Sequence, residues 1–165
     1  MDIEKQVREA VEALDVEHEF LDCDPELADT AAFCEHYGYE LDESANTIVV
    51  ASKRPPGQYA ACLVLANTRL DVNKRVRGLM EVKKLSFAPA DVTAEVTGMI
   101  MGGVTVFGLP EDLPLYVDSR IMDREWVIVG GGSRSLKIKV PPAALTAVGG
   151  IPIDDLANPF PEGPV

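Results

Sequence analysis

The chain has 165 residues, 47% of them hydrophobic, and a formal net charge of −12. This length predicts a single domain with a sizeable core, and no apolar run is long enough to span a bilayer. Three widely spaced cysteines and two histidines form no CxxC or Cys/His pattern, which argues against a disulfide scaffold or a metal site and favours a reduced cytoplasmic protein.

Hydrophobic periodicity and turn residues divide the chain into short elements. In chain order, the sequence predicts a helix at 3–14, a strand at 16–23, a helix at 30–36, strands at 46–53 and 59–66, a helix after Asp71, a strand at 83–87, a helix after Pro89, strands at 115–118, 126–129 and 136–140, and a helix from 141. The strands at 46–53 and 59–66 flank a turn and form a predicted hairpin.

Short strands in hairpins, mixed with short helices, predict an α+β fold. We expect a single domain with a curved, mixed and mostly antiparallel sheet and flanking short helices. The domain is expected to cover residues 1–153. Residues 154–165 are rich in Pro and Asp and are expected to form a loose tail.

The charges are unevenly distributed along the chain. Residues 1–45 hold fifteen acidic and two basic residues, whereas residues 46–139 hold nine acidic and thirteen basic residues. The acidic residues can simply solvate an outer helical face. Alternatively, the middle of the chain forms a basic patch of the kind that contacts nucleic acid.

Two glycine-rich segments interrupt the pattern of strands. The first glycine segment, residues 98–110, reads GMIMGGVTVFGLP, and the second glycine segment, residues 130–135, reads GGGSRS. Neither matches a P-loop or the fingerprint of dinucleotide-binding folds. Both can be turns that need a positive φ, or they can expose backbone N–H groups to a ligand. Apolar flanks and the basic strand that follows favour a pocket for a small acyl or aminoacyl group on a phosphate-bearing carrier.

The order of these motifs resembles the YbaK/EbsC family of aminoacyl-tRNA editing domains. The resemblance covers roughly residues 16–150 and is carried by DTAAFCEHYG, ANTIVVAS, TRLDVNKRV, VTGMIMGGVTVFGLP, LPLYVDSRIM and VIVGGGSRSLKIKVPPAAL. The family includes free-standing deacylases and the editing insertion of bacterial prolyl-tRNA synthetase. The resemblance implies hydrolysis of the ester between a mischarged amino acid and the tRNA 3′ end, with no metal and no cofactor.

Two positions depart from the family pattern. A Gly-x-x-x-Pro loop shapes the aminoacyl pocket in the family, and the corresponding residues 102–106 end in Val106, so the fixed φ of proline is missing. The family's functional lysine, at the start of the strand NTIVV, corresponds to Asn46. Asparagine can donate and accept hydrogen bonds, but it carries no charge.

The resemblance implies a site built on both glycine segments. The catalytic candidates are Asn46, Gly102 and Gly103, because backbone N–H groups near the glycines could stabilise the oxyanion of ester hydrolysis. The substrate-binding candidates are Thr47, Val104, Thr105, Val106, Phe107, Gly131, Gly132, Ser133, Arg134 and Lys137. Phe107 and Trp126 could stack on the terminal adenine or pack in the core. The candidates for steering the tRNA acceptor stem are Arg54, Arg69, Lys74, Arg75 and Arg77.

The residues leave two functions open. The first is an aminoacyl-tRNA deacylase that hydrolyses mischarged tRNA in trans. The second is a catalytically impaired homologue that binds an aminoacyl or amino-acid-like ligand without hydrolysis. The expected partner is the acceptor 3′ end of tRNA, with an aminoacyl-tRNA synthetase as a further candidate and no membrane. For a third function, a structural or interaction module, the sequence offers no positive feature beyond its acidic first third.

Overall fold

The computed structural model describes residues 2–159. The helices are α1 (Ile3–Ala13), α2 (Thr30–Tyr37), α3 (Arg77–Met80), α4 (Ala90–Thr97), α5 (Ser119–Met122) and α6 (Ala143–Ala147). The strands are β1 (Glu19–Asp22), β2 (Ala45–Arg54), β3 (Pro56–Leu65), β4 (Thr68–Leu70), β5 (Lys84–Phe87), β6 (Leu115–Asp118), β7 (Val127–Gly130), β8 (Leu136–Val140), β9 (Ile151–Ile153) and β10 (Ala157–Pro159). Within these residues, no helix is long and apolar enough to cross a membrane.

The strands form three sheets. The largest has the order β5-β2-β3-β6-β9. In it, β2 is antiparallel to β3 and β5, whereas β6 is parallel to both β3 and β9. A second, antiparallel sheet has the order β1-β8-β7, and β4 pairs with β10. This arrangement confirms the predicted α+β fold with a mixed, mostly antiparallel set of strands.

The five-stranded sheet has a hydrophobic core on each face. On one face, Leu63 of β3 packs with Val7 and Val11 of α1 and with the inner residues of β7 and β8. On the other face, its neighbour Cys62 packs with residues from β4, the turn at Val72–Val76 and Leu156. Adjacent residues of a strand point to opposite faces, which explains why nearly every side chain of β3 after Tyr59 is apolar.

Two predicted helix boundaries agree with the capping contacts. Helix α2 ends at Gly38, whose φ of +81° lies in the left-handed region and whose N–H donates to the Cys34 carbonyl. The Asp71 carboxylate accepts a hydrogen bond from the Lys74 N–H at 3.1 Å, so it caps the basic segment that follows. That segment begins with a wide turn at Val72–Val76 before α3.

The residues from 154 to 159 differ from the predicted loose tail. Strand β10 pairs with β4, with Ala157 opposite Leu70. Leu156 is fully buried in the second core, and its carbonyl accepts from the Asp71 N–H at 3.0 Å. Burial of Leu156 therefore holds this segment together with polar contacts, among them the hydrogen bond from Arg120 to the Ala157 carbonyl at 2.7 Å. The rest of the expected tail, residues 160–165, lies outside the described residues.

We predict that Leu156→Ala lowers the free energy of unfolding by about 2–5 kcal/mol, since it leaves a cavity in a fully packed core. The matched control is Ile151→Ala, whose side chain is 50% exposed and should change stability by no more than about 0.5 kcal/mol. Urea denaturation followed by circular dichroism measures both. Equal effects of the two substitutions would mean that the segment after residue 153 contributes nothing to the fold.

Candidate functional site

A cavity of about 520 Å³ lies beside the first half of β2. Its walls come from the start of α2, the start of β2, the first glycine segment, and strands β7 and β8. The lining residues are Ala28, Asp29, Thr30, Ala31, Leu41, Ala45, Asn46, Thr47, Ile48, Ala66, Met101, Gly102, Val104, Gly130 and Lys137. Pairing between β2 and β5 begins only at Val50, so the cavity lies next to the part of β2 that β5 leaves uncovered.

The two glycine segments are in direct backbone contact. The Gly132 N–H donates to the Gly103 carbonyl at 2.7 Å. A Cβ added at Gly103 would lie 2.7 Å from the backbone of Ser133, and one added at Gly130 would overlap the Val104 carbonyl oxygen. The glycines at these positions therefore allow two loops to pack at backbone distance. Of the two interpretations that the sequence left open, close packing between turns accounts for Gly103 and Gly130.

Asn46 is held at the cavity wall by α2. Its side-chain carbonyl oxygen accepts a hydrogen bond from the Thr30 hydroxyl. The amide NH₂ of Asn46 is therefore the group left to donate into the cavity. The carboxylate of Asp29, the residue before α2, does not cap the helix and instead pairs with Arg134 at 3.5 Å.

Thr47 is a second polar residue in the cavity lining. Its hydroxyl oxygen is buried and has no hydrogen-bond partner among the described residues. A buried hydroxyl without a partner costs free energy. Thr47 follows Asn46 directly in β2, so the two side chains point to opposite faces of the sheet.

Lys137 faces the cavity from β8. The residue is only 6% exposed, and its Nζ donates to the Ala28 carbonyl at 2.7 Å and lies 5.5 Å from the centre of the Phe33 ring. Burial lowers the pKa of Lys137 below the ordinary value for lysine, because desolvation disfavours the charged form.

The structure brings together five of the residues that the sequence assigned to the site. Asn46, Thr47, Gly102, Val104 and Lys137 all line the cavity. Eight others do not: Gly103, Thr105, Val106, Phe107, Gly131, Gly132, Ser133 and Arg134.

The eight residues outside the cavity have other contacts. Thr105, Val106 and Phe107 are buried at 0–2% exposure, because this part of the first glycine segment turns its side chains into the core. A Cβ at Gly131 would meet Leu136, and one at Gly132 would meet Val7. The Ser133 hydroxyl donates to the Glu4 carboxylate of α1.

The Arg134 side chain bridges the segment before α2 and the first glycine segment. Its Nε donates to the Pro25 carbonyl at 3.0 Å, and its Nη1 donates to the Met101 carbonyl at 3.3 Å. A Cβ added at Gly102, where φ is +88°, would overlap this guanidinium. Gly102 is therefore required both for the backbone conformation and for the passage of Arg134.

Residues at the start of α2 and at the rim were absent from the sequence-based site. Thr30 and the Ala28 carbonyl orient Asn46 and Lys137, while Leu41 and Met101 are lining residues with 38% and 49% exposure. The only sequence signal for the first two was the predicted start of a helix at residue 30. Trp126, considered for adenine stacking, has Lys139 Nζ 4.1 Å above its ring and is not a lining residue.

The basic residues proposed to steer tRNA lie on the surface away from the cavity walls. Arg54 ends β2, eight residues and about 26 Å along the strand from Asn46, and its carbonyl accepts from the Lys83 N–H at 2.8 Å. Arg77 donates to the Lys83 carbonyl, and Arg75 donates to the Asp154 carbonyl. Arg69 of β4 and Lys74 of the turn at Val72–Val76 are exposed.

Within residues 2–159, no group of three or more His, Cys, Asp or Glu side chains is arranged to hold a metal ion. The charged groups that line the cavity are Asp29 and Lys137. The cavity therefore offers hydrogen-bond donors and one buried cation to a ligand.

Comparison with solved structures finds proteins of the same fold. A hypothetical protein with 25% sequence identity superposes with a TM-score of 0.82 over 93% of this chain and 99% of its own. A protein proposed to be a trans-editing enzyme for prolyl-tRNA synthetase, at 21% identity, superposes with a TM-score of 0.80 over 99% of each chain. The model of the aminoacyl-tRNA editing domain matches residues 24–148. The chain belongs to the aminoacyl-tRNA editing domain family, as the ordered motifs predicted.

We predict that Gly130→Ala destabilises the protein by about 1–3 kcal/mol, since the added methyl group overlaps backbone that cannot rotate away. Gly78→Ala is the control, because no atom lies within 4 Å of its added Cβ and alanine favours the helix by up to about 1 kcal/mol. Thermal denaturation of both variants provides the measurement. A Gly130→Ala protein as stable as wild type would show that the two glycine segments are not tightly packed.

Proposed function

We propose that the protein is an aminoacyl-tRNA deacylase that acts in trans on mischarged tRNA. The observation that carries this proposal is the convergence of Asn46, Thr47, Gly102 and Lys137 on one cavity of about 520 Å³, a volume suited to a small ligand group. Membership of the editing domain family supports the reaction class. A neighbour in fold is itself proposed to edit for prolyl-tRNA synthetase, which makes a synthetase a candidate partner for this cytoplasmic activity.

The reaction is hydrolysis of an ester. A water molecule adds to the carbonyl carbon that links the amino acid to the ribose of the terminal adenosine. The bond from this carbon to the ribose oxygen breaks, and a proton from the water passes to that oxygen. The products are a free amino acid and a tRNA with its terminal hydroxyls restored.

The Asn46 side chain of β2 is suited to stabilise the oxyanion of this reaction. Its NH₂ can donate to the carbonyl oxygen as negative charge develops on it, and one such preorganised donor is worth about 3 kcal/mol. The Gly103 N–H already donates to the Ile100 carbonyl at 2.9 Å. We therefore assign the stabilisation to side chains rather than to the Gly103 backbone.

The exposed basic residues are proposed to steer the acceptor stem. Arg54, Arg69, Lys74, Arg75 and Arg77 belong to a stretch of chain with an excess of basic residues, and each phosphate contact contributes a salt-dependent term to binding.

We predict that wild-type protein releases amino acid from at least one aminoacyl-tRNA in a panel of mischarged tRNAs, and that Asn46→Asp lowers the rate about 10²-fold. The substitution removes a donor and adds a negative charge beside the developing oxyanion. Gln6→Glu makes the same change from amide to carboxylate at an exposed position of α1, outside the cavity and the proposed tRNA-binding residues, and should leave the rate unchanged. Release of labelled amino acid is the measurement.

If wild-type protein releases no amino acid from any tRNA in the panel, the deacylase proposal is wrong. Binding of a non-hydrolysable aminoacyl analogue by such an inactive protein would then support the alternative of a ligand-binding homologue. That alternative follows from the uncharged Asn46 in place of the family's lysine.

We predict that Lys74→Ala weakens tRNA binding and lowers the slope of log K against log salt by about one unit, as expected for loss of one phosphate contact. Lys5→Ala, on the acidic helix α1, should leave the slope unchanged. Fluorescence anisotropy over a range of salt concentrations measures both. Identical slopes for the two variants would remove Lys74 from the tRNA-binding surface.

A further inference from the structure

Lys137 is a buried ammonium without a carboxylate partner in the described part of the chain. It lines the cavity at 6% exposure, and the ion pairs within residues 2–159 involve arginines only. An ammonium has three N–H donors, and the hydrogen bond to the Ala28 carbonyl uses one of them. Because a buried charge is costly without compensation, this arrangement points to a ligand that brings the compensating oxygen.

Lys137 and Asn46 both line the cavity and are anchored at residues 28 and 30, where the chain enters α2. Lys137 Nζ is bonded to the carbonyl of Ala28, and the Asn46 side chain is bonded to the hydroxyl of Thr30. The two anchoring residues are separated by a single position in the chain. Asn46 and Lys137 are thus anchored to neighbouring positions of the same segment and line the same cavity.

The start of α2 adds positive potential at this place. The Asp29 carboxylate does not cap the first turn but is drawn to Arg134 at 3.5 Å. The partial positive charge of a helix N-terminus thus adds to the charge of Lys137, and both favour an oxygen that carries negative charge. The Asp29 carboxylate also lines the cavity and opposes them, but it is paired with Arg134.

We propose that Lys137 supplies the positive charge that faces the ester carbonyl in this cavity, from β8 instead of from position 46 on β2. The proposal rests on the proposed ester hydrolysis. Lys137 remains protonated throughout: it donates a hydrogen bond to the carbonyl oxygen while water adds to the carbon, and it keeps this bond until the ribose oxygen leaves with the proton of the water. Burial strengthens the effect, because the charge acts in a region of low dielectric constant.

The test compares Lys137→Met, Lys139→Met and the double variant Lys137→Met/Asn46→Lys. Lys139 lies on the same strand but packs on Trp126 outside the cavity, so its removal should change the rate by no more than about threefold. Lys137→Met should lower the deacylation rate by about 10²–10³-fold, the effect expected when a group that stabilises the oxyanion is lost. Thermal denaturation establishes that each variant is folded.

The double variant separates charge from structure. A lysine at position 46 restores a cation to the cavity from the opposite wall, and we expect it to raise the rate at least about tenfold above that of Lys137→Met. If Lys137 served only to hold Ala28, a lysine at position 46 could not replace it. An active Lys137→Met protein, or a double variant with no recovery, overturns the proposal while the deacylase function stands.

Failure of the deacylase function has a different signature. If wild-type protein releases no amino acid, affinities are measured instead for amide-linked aminoacyl-adenosine analogues that carry the amino acids of the panel. Weaker binding by Lys137→Met than by Lys139→Met would support the proposal that the Lys137 ammonium faces the carbonyl group of the ligand. Equal binding by the two variants would overturn it. Failure of wild-type protein to bind any of these analogues would refute both proposals.

Discussion

The backbone contact between the two glycine segments is the constraint on which the site depends. The Gly132 N–H reaches the Gly103 carbonyl at 2.7 Å, and Gly130 packs against Val104 with no room for a side chain. This contact joins the three-stranded sheet to the loop of residues 98–110. It therefore brings Lys137 on β8 into the same cavity as Gly102, although the two residues are distant in sequence.

The start of α2 is a second junction, and it makes the site rigid. Residues 28–30 contact three different elements: Lys137 of β8 at Ala28, Arg134 of the second glycine segment at Asp29, and Asn46 of β2 at Thr30. Side chains held in this way need little reorganisation when charge develops on a substrate, which is the condition for effective electrostatic stabilisation. The helix thus positions the polar groups of the cavity from outside the sheet.

Local patterns predicted much of the fold. The hairpin of β2 and β3 and the helix that ends at Gly38 follow from alternation, turn residues and capping, which a sequence displays directly. Strand β10 was missed because its three residues, ANP, have no periodicity and owe their position to the burial of the neighbouring Leu156.

The order of the motifs predicted some residues of the candidate site, but it could not predict contacts between residues that are far apart in the sequence. Asn46, Thr47 and Gly102 follow from the ordered motifs, whereas the bond between Lys137 and Ala28 joins residues 109 positions apart. The sequence allowed Phe107 either to stack on the terminal adenine or to pack in the core. It packs in the core, because an apolar ring is stabilised more by full burial than by exposure at a rim.

The net charge of −12 does not determine what the cavity binds. Exposed acidic residues more than about 8 Å from a ligand are largely screened at physiological ionic strength, whereas the field of the buried Lys137 is not. A tRNA bound as proposed would experience both effects at different places. Its phosphates would be repelled near the acidic α1 and attracted near the basic residues around β4 and α3, so the charges would favour one orientation of the acceptor stem. In the proposed function, the terminal ester would then enter a cavity that holds the buried cation of Lys137.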